Sequence, residues 1–437
     1  METDKTTLND LSVFHHEEEF SIFHKLDFTR TVGGREKLKN IFTRSLTDLA
    51  SIQNVQKTLQ IFIAKQDKWP LFISNGSVMM IQKFYESSVD QIPDRPTTSA
   101  AYLYKLFHSP DFSLVKYSTG HAFDFLKGMN QIIEHFLTKD APANLKLALE
   151  KARIRMEKPQ LSILSKAKSS DLSIAEMLRL ANFLRYHFKQ TFIELTDIYS
   201  QLDAWYGMAM AVKEYNLVFP EFTDSHEPRL KAEELYHILL HTPVAYTVEL
   251  NQKNNFIFLT GANMAGKSTF IKAVGAAVFL AHIGMGVPAK AMELSVFDGL
   301  LSNINVVDNV VKGESYFYNE VQRIKNTILK INDGRKWLIL IDELFKGTNI
   351  KDAMKCSTVV IEGLIKIKNS LFILSTHLYE IGEELRAHAN IDFKYFETEV
   401  TDEQLIFNYN LKDGISNDRL GYLILKREKV LDLLDKL

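Results

Sequence analysis

The sequence predicts two kinds of domain in succession: an all-α half, then an α/β half in which strands alternate with helices around a parallel sheet. Three observations carry that division. Residues before about 226 show no strand alternation and read mostly as helices. The apolar run Phe256-Ile257-Phe258-Leu259-Thr260 passes through a glycine-containing loop into a helical pattern. Two further apolar runs, at 337–341 and 371–375, flank a helical pattern at 353–367, which is how a parallel sheet covered on both faces is written. The expected boundary lies at His226-Glu227-Pro228, giving residues 1–226 and 227–437.

The totals exclude several classes. With 437 residues, 46% of them apolar, the chain is long enough for two or three domains with full cores. Lys and Arg number 52 against 54 Asp and Glu, so no overall positive field advertises nucleic acid, and any DNA contact has to come from a local patch. The lone cysteine, Cys356, excludes an intrachain disulfide and suits a reducing cytoplasm. The stretch METDKTTLNDLSVFHHEEEF has no apolar core and does not read as a signal peptide. The longest low-charge run, 273–289, is shorter than a membrane span and continues a helical pattern, so it reads as a buried helix and no membrane is expected.

Along the helical half, breaks are expected at Ile92-Pro93-Asp94-Arg95-Pro96, at Asp140-Ala141-Pro142 and near Pro159. Ser173-Ile174-Ala175-Glu176 has capping-box spacing, and apolar positions then recur at three and four through Leu184, Phe188, Phe192, Leu195, Ile198, Leu202, Trp205 and Ala209. Unbroken to Asn216, that helix is a rod on the order of 60 Å; the alternative is two shorter helices with a bend near Gly207. In the other half, the segments 391–400 and 404–409 alternate around Thr401-Asp402-Glu403 as an antiparallel hairpin.

The chemistry is concentrated in Gly261-Ala262-Asn263-Met264-Ala265-Gly266-Lys267-Ser268, a G-x-x-x-x-G-K-S loop between strand and helix. Its glycines let successive N–H groups and the positive end of the following helix face a polyphosphate. Lys267 is expected to reach the β/γ-phosphates and the Ser268 hydroxyl to take one position on Mg²⁺. A plain glycine turn is the bland alternative. The 337–341 run ends in Asp342-Glu343, two acids at the carboxyl end of a parallel sheet, where Asp342 would hold Mg²⁺ and Glu343 would orient or deprotonate the attacking water. The next strand ends in Ser375-Thr376-His377, placing a histidine where it would bond the γ-phosphate or its water.

Between these lies Val311-Lys312-Gly313-Glu314-Ser315-Tyr316-Phe317-Tyr318-Asn319-Glu320, a Gly-x-Ser turn opening a helix and hence a plausible anion site. GANMAGKST, AHIGMGVPA, GESYFYNE, LIDELFKGTN and STHLYEI follow one another in the order and spacing of the MutS DNA mismatch repair ATPases. Upstream, the segment from Leu26-Asp27 to Gly34-Arg35 with Ser45-Leu46-Thr47-Asp48-Leu49 resembles the opening of that family's core and lever domain, and the stretch from Leu202-Asp203 to Glu221-Phe222 is similar to its returning lever helix. The resemblance implies an ABC-type, MutS-like P-loop ATPase domain preceded by an all-α core/lever domain, and a dimer that forms with ATP and Mg²⁺. It implies that Gly261, Asn263, Gly266, Lys267, Ser268 and Thr269, with Ala262, Met264 and Ala265 in the same loop, hold nucleotide in one subunit, while Ser315 closes on the γ-phosphate from the other. Thr348 and Asp352 match a loop at the subunit interface, and His377 matches the family histidine.

Other positions depart from the family. No mismatch-reader, connector or clamp domain is matched, nor a C-terminal dimerisation extension; Phe84-Tyr85-Glu86 has the reader's spelling but falls in core helix. Ala265 replaces a glycine, Glu314 and Tyr316 flank Ser315, and Lys346 stands for arginine, losing a bidentate fork. Tyr246 is the nearest aromatic for stacking on adenine. For DNA the local candidate is 146–168, with Lys151, Arg153, Arg155, Lys158 and Lys166. The expectation is an ATPase in DNA repair or processing, acting as an ATP-gated clamp or switch on DNA. Its rival is an ATP-gated switch that binds a protein partner and no DNA. A transporter-type ATPase fits poorly, because Lys312-Gly313-Glu314-Ser315 is not a glycine-rich signature.

Overall fold

The computed structural model describes residues 1–304, 316–401 and 404–416, together with Val430 and Leu433. Two compact units emerge, and neither is one continuous stretch: Leu26–Thr43 with Gln53–Glu214 forms one, and Met1–Lys25, Arg44–Ile52 and Tyr215–Leu437 form the other.

The first unit is helical. Its principal helices are Val32–Thr43, Asn75–Glu86, Ser109–Phe136, Ala143–Met156 and Lys189–Glu214, with the expected breaks before Thr98, before Ala143 and at Pro159. Its core is aromatic: Trp69 stacks flat on Tyr206 at 4.2 Å between ring centroids, and Phe62 meets Phe136 edge-on at 5.0 Å. Asp203, fully buried, accepts hydrogen bonds from Arg30 N (3.1 Å), Thr31 N (2.9 Å) and Thr31 Oγ1 (2.7 Å), and so holds Thr31, whose Oγ1 in turn accepts from Gly34 N at 3.0 Å in the first turn of the helix Val32–Thr43. Burial pushes its carboxyl up and those donors oppose the shift. The capping box is present: Ser173 Oγ accepts from Glu176 N at 3.3 Å and the Glu176 carboxylate from Ser173 N at 2.8 Å. The hydrogen bond from Lys166, with those from Ser173, brings the Glu176 carboxyl down to about 2.

The continuous rod expected from Ser173 to Asn216 is not formed, and the bend is not at Gly207. The helix Ile174–Asn182 passes into a π-turn at Phe183–His187, and the chain restarts at Lys189. Side chains from elsewhere occupy the widened turn: Tyr85 Oη donates to Leu184 O at 3.1 Å, and Arg185 in return donates to Phe84 O and, at 2.6 Å, to Ser87 O. That exchange also fixes Phe84, which is fully buried with the Arg185 guanidinium over its ring, in a structural role. Gly207 lies inside the continuous helix Lys189–Glu214, where a Cβ would stand 2.9 Å from Thr29 N and 3.1 Å from Phe28 C. It is there for close approach.

The second unit is α/β. Its strands are β1 (Glu221–Thr223), β2 (Arg229–Leu235), β3 (Tyr246–Asn251), β4 (Phe256–Thr260), β5 (Ala291–Ser295), β6 (Gly299–Asn303), β7 (Trp337–Asp342), β8 (Ser370–Ser375), β9 (Ile391–Thr401) and β10 (Gln404–Asp413). Among the described residues they form a mixed sheet in the order β1-β5-β2-β3 and a larger one in the order β10-β9-β4-β8-β7-β6. In the larger sheet every pairing is parallel except the β9–β10 hairpin. Strands β4, β6, β7 and β8 are buried at every position, as continuous apolar runs in a doubly covered sheet should be. The helix Lys267–His282 is buried along nearly all its length, as the low-charge run predicts, and Gly275 admits Leu11 and Leu340, whose methyls would lie 2.5 Å from a Cβ there.

The N-terminal segment belongs to this unit, which no sequence signal announced. Glu2 forms a parallel bridge to Gly299, and the helix Lys5–Asp10 covers the edge of β6: Thr7 Oγ1 accepts from Ser302 N at 3.0 Å, and Asp10 accepts from Ser302 Oγ at 2.6 Å. At the far end of the helix Lys267–His282, His282 is completely buried with both ring nitrogens used, Nδ1 donating to Val278 O at 2.8 Å and Nε2 accepting from Phe297 N at 2.9 Å. Burial lowers its pKa to about 3, and burial likewise lowers that of His237 to about 4.

Two outcomes are expected. Gly207→Ala, which helix propensity alone would favour by about 1 kcal/mol, destabilises the helical unit, by about 1–3 kcal/mol through overpacking against backbone; a raised denaturation midpoint would contradict the close-approach reading. Because His282 and His237 are held neutral, the unfolded chain takes up their protons first as pH falls. Their contribution is full above the ordinary value of 6.5 and is lost toward about 4 and 3, at about 1.4 kcal/mol per pH unit for each. Urea midpoints at pH 5 and pH 7.5 measure this, and equal midpoints would rule it out.

Candidate nucleotide site

The larger sheet sets the site before any side chain is considered. Strand β8 lies between β4 and β7, so the phosphate-binding loop after β4, the acids after β7 and the Ser375–His377 end of β8 open on one edge, the carboxyl edge of parallel strands. The loop turns as its glycines demand, Gly261 at φ 141° and Gly266 at φ 110°, values that L side chains rarely adopt. Gly266 is also the residue from which the helix Lys267–His282 starts.

Lys267 is buried. Its ammonium donates to Gly261 O at 2.7 Å and Ala262 O at 3.0 Å, two carbonyls of its own loop. Burial lowers its pKa, and the carboxylates of Glu343 and Asp342 nearby oppose that shift. A buried cation held only by carbonyl oxygens fits an anionic ligand that would supply the missing charge.

Asp342 closes β7 and is itself buried, with both carboxylate oxygens engaged. Oδ2 accepts from Ser268 Oγ at 2.5 Å, and Oδ1 accepts from Ser375 Oγ. Two hard oxygens, Ser268 Oγ and Asp342 Oδ2, thus stand side by side at the start of the phosphate-loop helix, a donor set that suits Mg²⁺ sharing its remaining positions with phosphate oxygens and water. Among the described residues no group of three or more His, Cys, Asp or Glu side chains is placed to hold a metal unaided.

Glu343 follows in a left-handed conformation, φ 66°, with its N–H donating to Ser375 O at 2.9 Å. Phe345, at φ 58°, is left-handed as well. Each such non-glycine residue costs about 1–2 kcal/mol and persists only where its surroundings hold it. The Glu343 carboxylate lies 3.3 Å from Lys346 Nζ and 3.6 Å from His377 Nδ1. Burial opposes its charge, but the nearby His377 ring and the charge of Lys346 outweigh that and bring the carboxyl down to about 2. It is an anion throughout the physiological range.

Of these groups, Lys267, Ser268 and Glu343 border a cavity of about 420 Å³, within the range of small-molecule sites. Ala262, Asn263, Met264, Gly266, Lys267, Ser268 and Thr269 line one side with Glu343, while Leu240, Thr242, Val244 and Tyr246 line another, and Tyr409 completes it. Tyr246 is buried, its ring edge-on to Phe270 at 5.5 Å and Phe396 at 5.6 Å. Tyr409 is the more exposed aromatic. It sits at φ 54° in the irregularity that shifts the β9–β10 register between Phe407 and Leu411, close to where a Cβ on Gly266 would lie. Sequence reading ended the strand at Tyr409 without giving it a role, because alternation does not reveal a bulge. It also passed over Ser375, whose only signal was a hydroxyl at the end of an apolar run, and over the 240–244 segment, which had none.

The remaining candidates fall elsewhere. Ser315 lies outside the described residues, as do Lys312, Gly313 and Glu314. Asn349 caps the helix Ile350–Leu364 by accepting from Asp352 N at 3.0 Å, so Asp352 is in the first turn of that helix. In the helical unit three of the five cations named for DNA pair with carboxylates. Arg153 pairs with Glu157 at 3.0 Å, Arg155 with Glu194, and Lys166 with Glu176 at 2.7 Å. No helix among the described residues is long and apolar enough to cross a membrane.

Comparison with known proteins agrees with this geometry. Residues 257–430 match the family described as MutS domain V. The DNA mismatch repair protein MutS of Staphylococcus haemolyticus is 28% identical over 285 residues, covering 63% of this chain and 31% of that protein. MutS protein homolog 4 of Homo sapiens is 29% identical over 237 residues, or 52% of this chain and 25% of that protein. A MutS of Geobacillus is 24% identical over 377 residues, reaching 82% of this chain and 42% of its own. The chain spans about a third of the length of the curated relatives it matches first. Over residues 257–430 the chain thus matches MutS domain V, and over half or more of its length it is similar to MutS proteins.

Proposed function

We propose that the chain is a Mg²⁺-dependent ATPase of the ABC-type P-loop class that works in DNA repair or processing as an ATP-gated dimeric switch. The observation that carries this reading is one cavity bordered by Lys267, Ser268 and Glu343, with Asp342 bonded to Ser268 and His377 3.6 Å from the Glu343 carboxylate. Relatives named as DNA mismatch repair proteins support the pathway.

In this mechanism Lys267 turns from the Gly261 and Ala262 carbonyls to the β/γ-phosphates, exchanging neutral partners for an anion. The loop N–H groups and the start of the helix Lys267–His282 cradle the same phosphates. Ser268 and Asp342 would hold Mg²⁺, which when bound supplies charge neutralisation at the phosphate oxygens. Ser375 keeps Asp342 turned toward Ser268. Glu343 accepts a hydrogen bond from the attacking water and orients it, and His377 fixes the Glu343 carboxylate while facing the γ-phosphate side. A carboxyl near 2 is a weak base, so its part is alignment and electrostatics more than full proton removal. Tyr246 and Tyr409 are the aromatic groups available to the base. Ser315, from a second subunit, would complete the site, so that ATP bridging two copies favours the closed dimer and hydrolysis removes that preference.

A second reading, in which the helical unit grips a protein and no DNA, is favoured by the pairing of Arg153, Arg155 and Lys166 with carboxylates.

Glu343→Gln should retain ATP affinity and lose about 10²–10⁴-fold in turnover, leaving a dimer that persists with ATP by solution mass; turnover at the parent rate would remove Glu343 from the mechanism. Binding to duplex and branched DNA across a salt series, with and without ATP, separates the two readings. A steep salt dependence supports the DNA switch, and no binding at low salt supports the protein-partner switch.

A further inference from the structure

We propose that Glu320 is a positioning residue for hydrolysis: its carboxylate holds the loop that carries Lys346 and thereby sets the geometry of Glu343. This deepens the ATPase reading and rests on it. Glu320 lies on the helix Tyr316–Ile331 and is 5% exposed. It neither borders the nucleotide cavity nor pairs with a basic side chain among the described contacts. Its two oxygens accept from the backbone instead, Oε1 from Lys346 N at 3.1 Å and Oε2 from Gly347 N at 3.2 Å.

A buried carboxylate that takes two consecutive backbone N–H groups fixes both the position and the twist of that peptide. The peptide matters because of its neighbours. Phe345 immediately precedes it and Glu343 lies two residues further back, both left-handed, and Lys346 directs its ammonium to the Glu343 carboxylate. The groups facing Glu343 are Lys346 from its own loop, His377 from the end of β8, and Lys267 from the phosphate loop. Of these, Lys346 stands on the backbone that Glu320 holds. Phe317, one turn earlier on the same helix, meets Phe345 at 5.7 Å between centroids, so the helix grips the loop at two points. A shift of the helix Tyr316–Ile331 is therefore passed to the carboxylate that orients water, without any change in the groups that bind phosphate.

The role predicts a split between binding and turnover. In the full chain, Glu320→Ala should lower kcat by roughly 10–100-fold, the scale of a small misplacement at a reacting centre, with ATP affinity and KM within about twofold of the parent. Glu320→Gln retains one acceptor oxygen and should recover part of the loss; it also stands in should the alanine variant fail to fold. Backbone amide exchange at Lys346 and Gly347 should accelerate in both variants. A Glu320→Gln protein that hydrolyses ATP at the parent rate, or variants whose affinity falls in step with kcat, would overturn the positioning role and leave the ATPase reading intact. A parent chain that binds ATP and never hydrolyses it would overturn the ATPase reading itself.

Discussion

The nucleotide unit turns on one carboxylate. Asp342 ends a buried strand, and each of its oxygens is taken by a serine hydroxyl from a different neighbour, Ser268 from the phosphate-loop helix and Ser375 from the strand in between. A carboxylate removed from water is costly unless its lone pairs are satisfied. Here the partners that satisfy it also tie together three separate chain segments. The registers of β4, β8 and β7 bring their ends level, so the same hydrogen bonds that make the acid tolerable fix the distance between Lys267 and the acids Asp342 and Glu343.

Charge in the site is arranged as a set of loans between neighbours. Lys267 is buried with two loop carbonyls as its hydrogen-bond partners, while His377 and Lys346 hold the Glu343 carboxyl below the ordinary carboxylate range. The cationic end is thus under-satisfied and the anionic end over-satisfied. An incoming polyphosphate relieves the first, and the second keeps the acid from competing with it for protons. Lys346 contacts Glu343 as a single point charge on a flexible stem, so the backbone beneath it has to provide the rigidity that a planar arginine fork would otherwise give.

Much of this was legible in the residues. The phosphate loop, the acids after 337–341, the histidine after 371–375, the hairpin and the capping box at Ser173 each depend on local spacing, and each stands where spacing put it. What escaped were features decided at long range. A π-turn at Phe183–His187 interrupts a periodic pattern because Tyr85 and Arg185 trade hydrogen bonds across it, and three-and-four periodicity does not register one extra residue in a turn. Gly207 looked like a hinge and is a contact. The pairing of Glu2 with Gly299, the bulge that delivers Tyr409 and the reach of Glu320 to Lys346 involve partners tens to hundreds of residues apart, on which hydrophobic patterning is silent.

The hydrogen bond between Thr7 and Ser302 joins residues 295 apart in sequence, and it sits at an edge strand of the nucleotide unit. On a ribosome adding about 5–20 residues per second, the N-terminal helix would wait roughly 15–60 s for the strand it covers. Throughout that interval Leu8, Leu11 and Val13, all buried in the finished unit, have no native surface to join. The helical unit, encoded in between, has its own apolar core to collapse first. The edge strand β6 and the helix that covers it therefore come together only after the helical unit encoded between them has been made.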